Sequence, residues 1–131
     1  MNAATGSVRT WLRFEGLAVL VAAVFFYREQ RLSWLLFAVL FLVPDLSLLG
    51  YLAGSRAGAV AYNVAHSYLL PLLLLIASLF AGHRVLTLYA LIWMAHIGFD
   101  RMVGYGLKYP WGFGDTHLGR IGKAKADAVN L

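Results

Sequence analysis

Four apolar stretches recur along the chain with short polar breaks between them: roughly Trp11 to Tyr27, Leu32 to Leu52, Ala57 to Ala81 and Val85 to Val103. A helix needs about 20 residues to cross the hydrocarbon of a bilayer, so the second, third and fourth runs suffice. The first is short. It reaches span length by borrowing Val8 to Arg13 while Arg9 and Arg13 snorkel, or else lies tilted or partly interfacial. Composition agrees with this pattern: 61% hydrophobic and 13% charged residues, with mean hydropathy +0.72, are too apolar for a soluble domain of 131 residues. The expected fold is all-α, a single transmembrane domain over 1–131 built as an up-down four-helix bundle, because the short turns force neighbouring helices antiparallel. No internal repeat is persuasive. No cleaved signal peptide is expected either, since the first run leads straight into Arg28-Glu29-Gln30-Arg31 without a small-residue cleavage site.

Four spans put the N-terminus, the turn near Gly54-Ser55-Arg56 and the C-terminal segment on one side, and the turns at 28–31 and 83–84 on the other. Arg9, Arg13, Arg56, Arg101, Lys108, Arg120, Lys123 and Lys125 fall on the first side, against Arg28, Arg31 and Arg84 on the second. Basic residues accumulate in the cytoplasm, so both termini are expected there. The net charge of +5 is thereby explained by topology, and no nucleic-acid partner is expected.

Inside these apolar runs sit Asp45, His66, His96 and Asp100. A charge at membrane depth costs from ~2.5 to more than 10 kcal/mol, so each needs a partner, an ion or water. Asp45 and His66 lie about 10 to 14 Å from the cytoplasmic ends of their spans at a rise of ~1.5 Å per residue. His96 and Asp100 approach the same end of the fourth span, as does Glu15 of the first. Polar residues from all four helices therefore converge in one half of the bilayer. His96 and Asp100 share a helix face at i, i+4, and so do Tyr62 and His66, with Asn63 beside them. Pro44 and Pro71 predict kinks beside this group, and hence a cavity.

Ala57, Ala61 and Ala65 predict a close-packing, inward-facing stripe on the third span. Trp11, Trp34 and Trp111 read as interfacial belt residues. After Gly104 the chain turns rich in glycine and aromatics. An ordered cytoplasmic loop is expected over about 104–120 and a frayed basic tail over 121–131.

With no cysteine, a metal site must use histidine, carboxylate, tyrosine or backbone oxygen. Asp45, His66, His96 and Asp100, with His117 as a fifth, form a candidate ligand set for a divalent ion such as zinc, manganese or iron, with an open position for water. In an enzyme of this kind Glu15 is the candidate general base, Arg101 and Lys108 the candidates to hold a phosphate or carboxylate, and Tyr105 a donor to developing negative charge. The depth of the site suits a lipid-soluble or amphipathic substrate from the cytoplasmic leaflet. Four other readings stay open: a structural polar network, His to Asp and Asn to Tyr, that fixes helix register; haem held by His66 and His96; a proton-relay or transport subunit acting as a homo-oligomer; and a non-catalytic membrane anchor or partner subunit.

Pro44-Asp45-Leu46-Ser47, Tyr62-Asn63-Val64-Ala65-His66, and the run from His96-Ile97-Gly98-Phe99-Asp100-Arg101 through Tyr105-Gly106-Leu107-Lys108-Tyr109 to Asp115-Thr116-His117-Leu118-Gly119 resemble an uncharacterised family of small bacterial membrane proteins, domain of unknown function 4260. The resemblance implies a four-helix membrane fold in the bacterial inner membrane, with lipid as partner. Pro-Asp, a following His, and His-x-x-x-Asp also resemble the pattern of bacterial membrane-bound metal-dependent hydrolases, on which Asp45, His66, His96 and Asp100 would be ligands. Where those proteins carry His-Arg and Thr-His pairs, this chain has Asn63 and Ser67.

Overall fold

The computed structural model describes residues 3–110 and 113–120; Trp111 and the basic tail at 121–131 lie outside it. The described residues form an all-α membrane bundle of four rods. The first is α1, Gly6–Glu29. The second is α2, Trp34–Phe41, continued as a 3₁₀ helix, Val43–Ala53. The third is α3, Ser55–His66, followed by α4, Leu69–Ala81, and the fourth is α5, Arg84–Val103. Gly6–Glu29, Trp34–Ala53 and Ser55–Ala81 are each long and apolar enough to cross a membrane, whereas α5, the fourth run expected to suffice, is not among them, because it carries His96, Asp100 and Arg101. The first run thus reaches full span length, with Arg9 and Arg13 inside the helix. Arg13 directs its Nε–H to the Met102 carbonyl at 2.8 Å, so it is held by protein rather than by snorkelling alone.

The rods run up and down. Arg84 Nη2 donates to the Gln30 carbonyl at 2.5 Å and ties two turns together at one end. At the other end, Ala4 N–H donates to the His117 carbonyl at 2.7 Å and Ser55 Oγ to the Pro110 carbonyl at 2.7 Å.

The helix at the centre is α5, with eleven of its 20 residues buried, whereas α1 buries Gly16, Ala23 and Tyr27 and α2 buries none. Large apolar side chains face outward instead: Trp11 is 70% exposed, Leu35 74% and Phe80 90%. Such a surface suits lipid and not water. The arrangement explains why α5 tolerates His96, Asp100 and Arg101, since its neighbours screen it from hydrocarbon. Helices α1 and α5 approach closely where Gly16 and Gly98 face each other; a Cβ on Gly98 would lie 2.8 Å from the Gly16 carbonyl oxygen.

Three local expectations need correction. The alanine stripe does allow close approach, since a Cβ on Gly50 of the 3₁₀ helix would lie 2.8 Å from Ala61 Cβ and 3.3 Å from the Ala57 carbonyl oxygen, but it does not face inward: the inward face of α3 carries Gly58, Ala59, Tyr62 and His66, whereas Ala57 is exposed and Ala61 and Ala65 only half-buried. The break in the third rod falls at Ser67-Tyr68, ahead of Pro71, which sits in the first turn of α4, where its missing N–H is tolerated. The segment after α5 is not wholly loop. Asp115–Thr116 and Gly119–Arg120 pair as a small antiparallel hairpin, β1 and β2, that caps the bundle.

Candidate metal centre

Each break in a rod frees main-chain carbonyls, and the site is built from what receives them. At the start of the 3₁₀ helix, Asp45 N–H bonds to the Leu42 carbonyl at 3.1 Å rather than one residue further back. The Phe41 carbonyl takes Nδ1–H of His96 at 2.6 Å instead. At the α3–α4 break the Ala65 carbonyl receives the Trp93 indole N–H and the His66 carbonyl receives Arg101 Nη2, each at 2.6 Å. Buried carbonyls left unpaired would each cost about 1–3 kcal/mol, so these side chains on α5 hold both breaks open.

His66 Nδ1 lies 2.9 Å from the Tyr62 carbonyl. A carbonyl oxygen only accepts, so Nδ1 carries the proton in both histidines and each neutral ring presents Nε2 as a bare lone pair. The two Nε2 atoms are 3.1 Å apart. Asp45 Oδ1 lies 3.2 Å from His66 Nε2 and 3.3 Å from His96 Nε2, and Asp100 Oδ2 lies 3.5 and 3.3 Å from the same two atoms. Four acceptors thus converge without a donor, and one ligand atom from each residue can be chosen so that all lie within 4.8 Å of one another. The group therefore calls for a proton, on a ring or on a carboxyl, or for a metal ion.

The five separations that involve a histidine nitrogen, 3.1 to 3.5 Å, are near those around a metal. An ion bound at about 2.1 Å in tetrahedral geometry spaces its ligands about 3.4 Å apart. Metal-binding histidines typically donate their second ring N–H to a carbonyl, as both rings do here. The side chains of His66, His96 and Asp100 are 0%, 3% and 11% exposed, while that of Asp45 is 45% exposed and marks the open side. The Tyr62 ring stacks on His66 at 3.7 Å between centroids and fixes its plane.

The remaining sequence candidates lie elsewhere. His117 is not a fifth member of the group: its Nδ1 accepts the Leu107 N–H at 2.8 Å, and its own N–H returns to the Leu107 carbonyl at 3.0 Å, clamping the hairpin to the post-helix segment. Burial, and then the Arg101 charge, lower its pKa. Glu15 is exposed on α1 and lines a separate cavity with His117 and Arg101. Arg101 is committed through Nη1 to the Tyr105 carbonyl at 2.8 Å and through Nη2 to His66. Gly104, at φ 94°, makes the left-handed turn that brings that Tyr105 carbonyl back over α5, while the Tyr105 side chain stays largely exposed. Lys108 Nζ donates to the Phe113 carbonyl at 2.8 Å, lies 3.7 Å from the Phe113 ring centroid and 4.6 Å from that of Tyr62. Burial brings its pKa down to about 8. None of these five supplies a group directly to the convergence point. Asn63 does not pair with tyrosine; it exchanges two bonds with the Lys108 backbone, at 2.8 and 2.6 Å, and anchors the cap to α3.

Trp93 and Tyr62 shape the site without having stood out as functional in the sequence. Tyr62 carried a signal in its i, i+4 spacing to His66; Trp93 carried one only in lying one turn before His96.

A family model for a domain of unknown function, DUF4260, matches residues 9–121. The chain belongs to that family. The match spans all four rods and all four residues of the buried group, so the group is part of the DUF4260 region itself. No curated protein and no solved structure matches the chain. Nothing in these comparisons supports the likeness to membrane-bound metal-dependent hydrolases.

Proposed function

We propose that this DUF4260 protein binds a divalent transition metal within the membrane through Asp45, His66, His96 and Asp100, with zinc, manganese or iron as the ion. The observation that carries this reading is the convergence of four acceptor atoms whose histidine Nδ1 protons are already committed to carbonyls. Two imidazoles and two carboxylates suit these borderline and harder ions, and the absence of thiolate argues against softer ones. The distribution of basic residues supports an orientation with both termini and the site's end of the bundle on the cytoplasmic side of a bacterial inner membrane.

A second, catalytic reading is favoured by one further feature. An apolar cavity of about 450 Å³, lined by Leu40, Pro44, Ala65, Ile92 and Trp93 among others, lies directly beside the group. Pro44 and Ala65 precede ligands Asp45 and His66, and Trp93 is one turn from His96. A lipid-soluble or amphipathic substrate could lay its chain there with its polar end at Asp45, and a metal would polarise that end or activate water for hydrolysis. Haem fits less well, because two axial nitrogens on one iron stand about 4 Å apart with a macrocycle between them, against 3.1 Å here. A protonated imidazole in place of metal would return the group to a structural network or a proton path.

Cobalt titration of chelator-treated protein in detergent separates these readings. Metal binding predicts the visible bands of four-coordinate cobalt, lost in His96→Ala. A spectrum unchanged by cobalt would reject it.

A further inference from the structure

On the other side of Arg101 from the metal group, a cavity of about 270 Å³ opens between α1, the α3–α4 break and the hairpin. Its polar lining is Ser67, Tyr68, Arg101, His117 and, from α1, Glu15. Arg101 is 6% exposed, and among the described residues no carboxylate lies within ion-pair distance of it. Its two bonds to carbonyls satisfy hydrogens, but Asp100 attracts its charge only from beyond ion-pair distance while facing the histidines, a costly arrangement for a buried guanidinium. The Tyr68 hydroxyl is buried and, among the described residues, has no hydrogen-bond partner. His117 uses Nδ1 as an acceptor, which leaves its proton on Nε2, and Ser67 Oγ accepts from Leu69 N–H at 3.2 Å with its own proton free. Four donors, one of them charged, therefore line one small cavity at the capped end of the bundle. Glu15 is the single carboxylate of that lining and is exposed.

We infer that this cavity receives a phosphate group, with Arg101 supplying the countercharge and Tyr68, Ser67 and His117 the hydrogen bonds. A donor-rich, cationic pocket beside an interface suits a phosphate from either a lipid headgroup or solution, because both present the same acceptor oxygens. The inference stands apart from the metal reading: it uses none of the four ligands, and each can fail while the other holds. The unpaired Tyr68 hydroxyl is its most specific support, since a buried hydroxyl without a partner is disfavoured unless a ligand completes it.

The test is the unfolding midpoint of the purified chain in uncharged detergent. One arm adds inorganic phosphate against chloride at matched ionic strength. The other adds short-chain phosphatidylglycerol against the matching diacylglycerol. A concentration-dependent rise with phosphate assigns a free anion, and a rise with phosphatidylglycerol alone assigns a headgroup; both support the site. Tyr68→Phe removes no existing bond, so it folds, and it should weaken the apparent affinity about tenfold, the loss of one hydrogen bond to a charged group. Glu15→Gln, which removes the lining's negative charge, should strengthen it. No response to either phosphate source, an unchanged response in Tyr68→Phe, or a weaker one in Glu15→Gln would overturn the inference.

Discussion

His66 and His96 face each other Nε2 to Nε2 across 3.1 Å, and each ring is held by an Nδ1 proton given to a main-chain carbonyl, that of Tyr62 for one and Phe41 for the other. The His96 ring cannot turn to relieve the contact without leaving the Phe41 carbonyl unpaired, and the His66 ring is held by the stacked Tyr62 ring as well as by its bond to the Tyr62 carbonyl. The two carboxylates beside them add acceptors and no donor. This opposition makes the group a receptor for a cation, and the 3₁₀ segment and the α3–α4 break exist in the same place because α5 satisfies the carbonyls they release.

In the proposed metal centre Asp45 stands at the open side, 45% exposed, so it can be replaced with the least damage to packing. Asp45→Asn should fold with its helical content intact and bind metal at least about 100-fold more weakly, beyond the 10- to 100-fold typical of losing an outer-shell partner. Competition against a chromophoric chelator reads the affinity, and wild-type affinity in the variant would remove Asp45 from the ligand set.

Trp93→Phe keeps an aromatic ring, though a smaller one, and deletes the indole N–H that holds the Ala65 carbonyl at 2.6 Å. The expected destabilisation is about 1–3 kcal/mol, the cost of an unpaired buried carbonyl. Denaturation in detergent measures it. A variant as stable as the wild type would mean that the break in the third rod is held by other means.

Gly98→Ala places a Cβ 2.8 Å from the Gly16 carbonyl oxygen and 2.8 Å from Leu20 N, where only backbone can give way. Overpacking of this kind costs about 1–3 kcal/mol and should spread α1 from α5. Unfolding midpoints of Gly98→Ala and of Gly54→Ala, whose Cβ would meet nothing within 4 Å, test the point: the first measures packing, and the second only the strain of a positive φ.

Lys108 carries a pH signature. Burial lowers its pKa from 10.5 to about 8, so between those values the unfolded chain holds a proton there that the folded chain has released. Stability from this group therefore rises with pH across that window, and below it the folded state bears the full cost of the buried charge. Lys108→Met should abolish that rise. Unfolding midpoints of both proteins at the two edges of the window decide it, and parallel pH profiles would contradict the assignment.

Much of the fold was legible because its signals are local. The apolar runs gave four rods, and the i, i+4 pairs Tyr62/His66 and His96/Asp100 placed side chains on shared faces that the structure does bring together. The change to 3₁₀ geometry over Val43–Ala53 was not legible, since its residues, though less apolar than those of the helix before it, still continue a span-length apolar run and only the missing Pro44 N–H marks the junction. The roles of Trp93 and Arg101 depend on which distant carbonyl a break exposes, which spacing does not encode. Glu15 and His117 shared a depth with the group but not a direction: α1 meets α5 on the flank that carries Gly98 and Arg101, so they line the second cavity. The two-residue strands of the cap are too short to show any alternation.

The most direct test is the metal content of the protein, purified without chelator in mild detergent and measured by elemental analysis beside His96→Ala and Asp45→Ala. The account predicts about one zinc, manganese or iron per chain in the wild type and a large loss in both variants. Wild type and variants equally empty, with no gain in stability on adding any of the three ions, would contradict it.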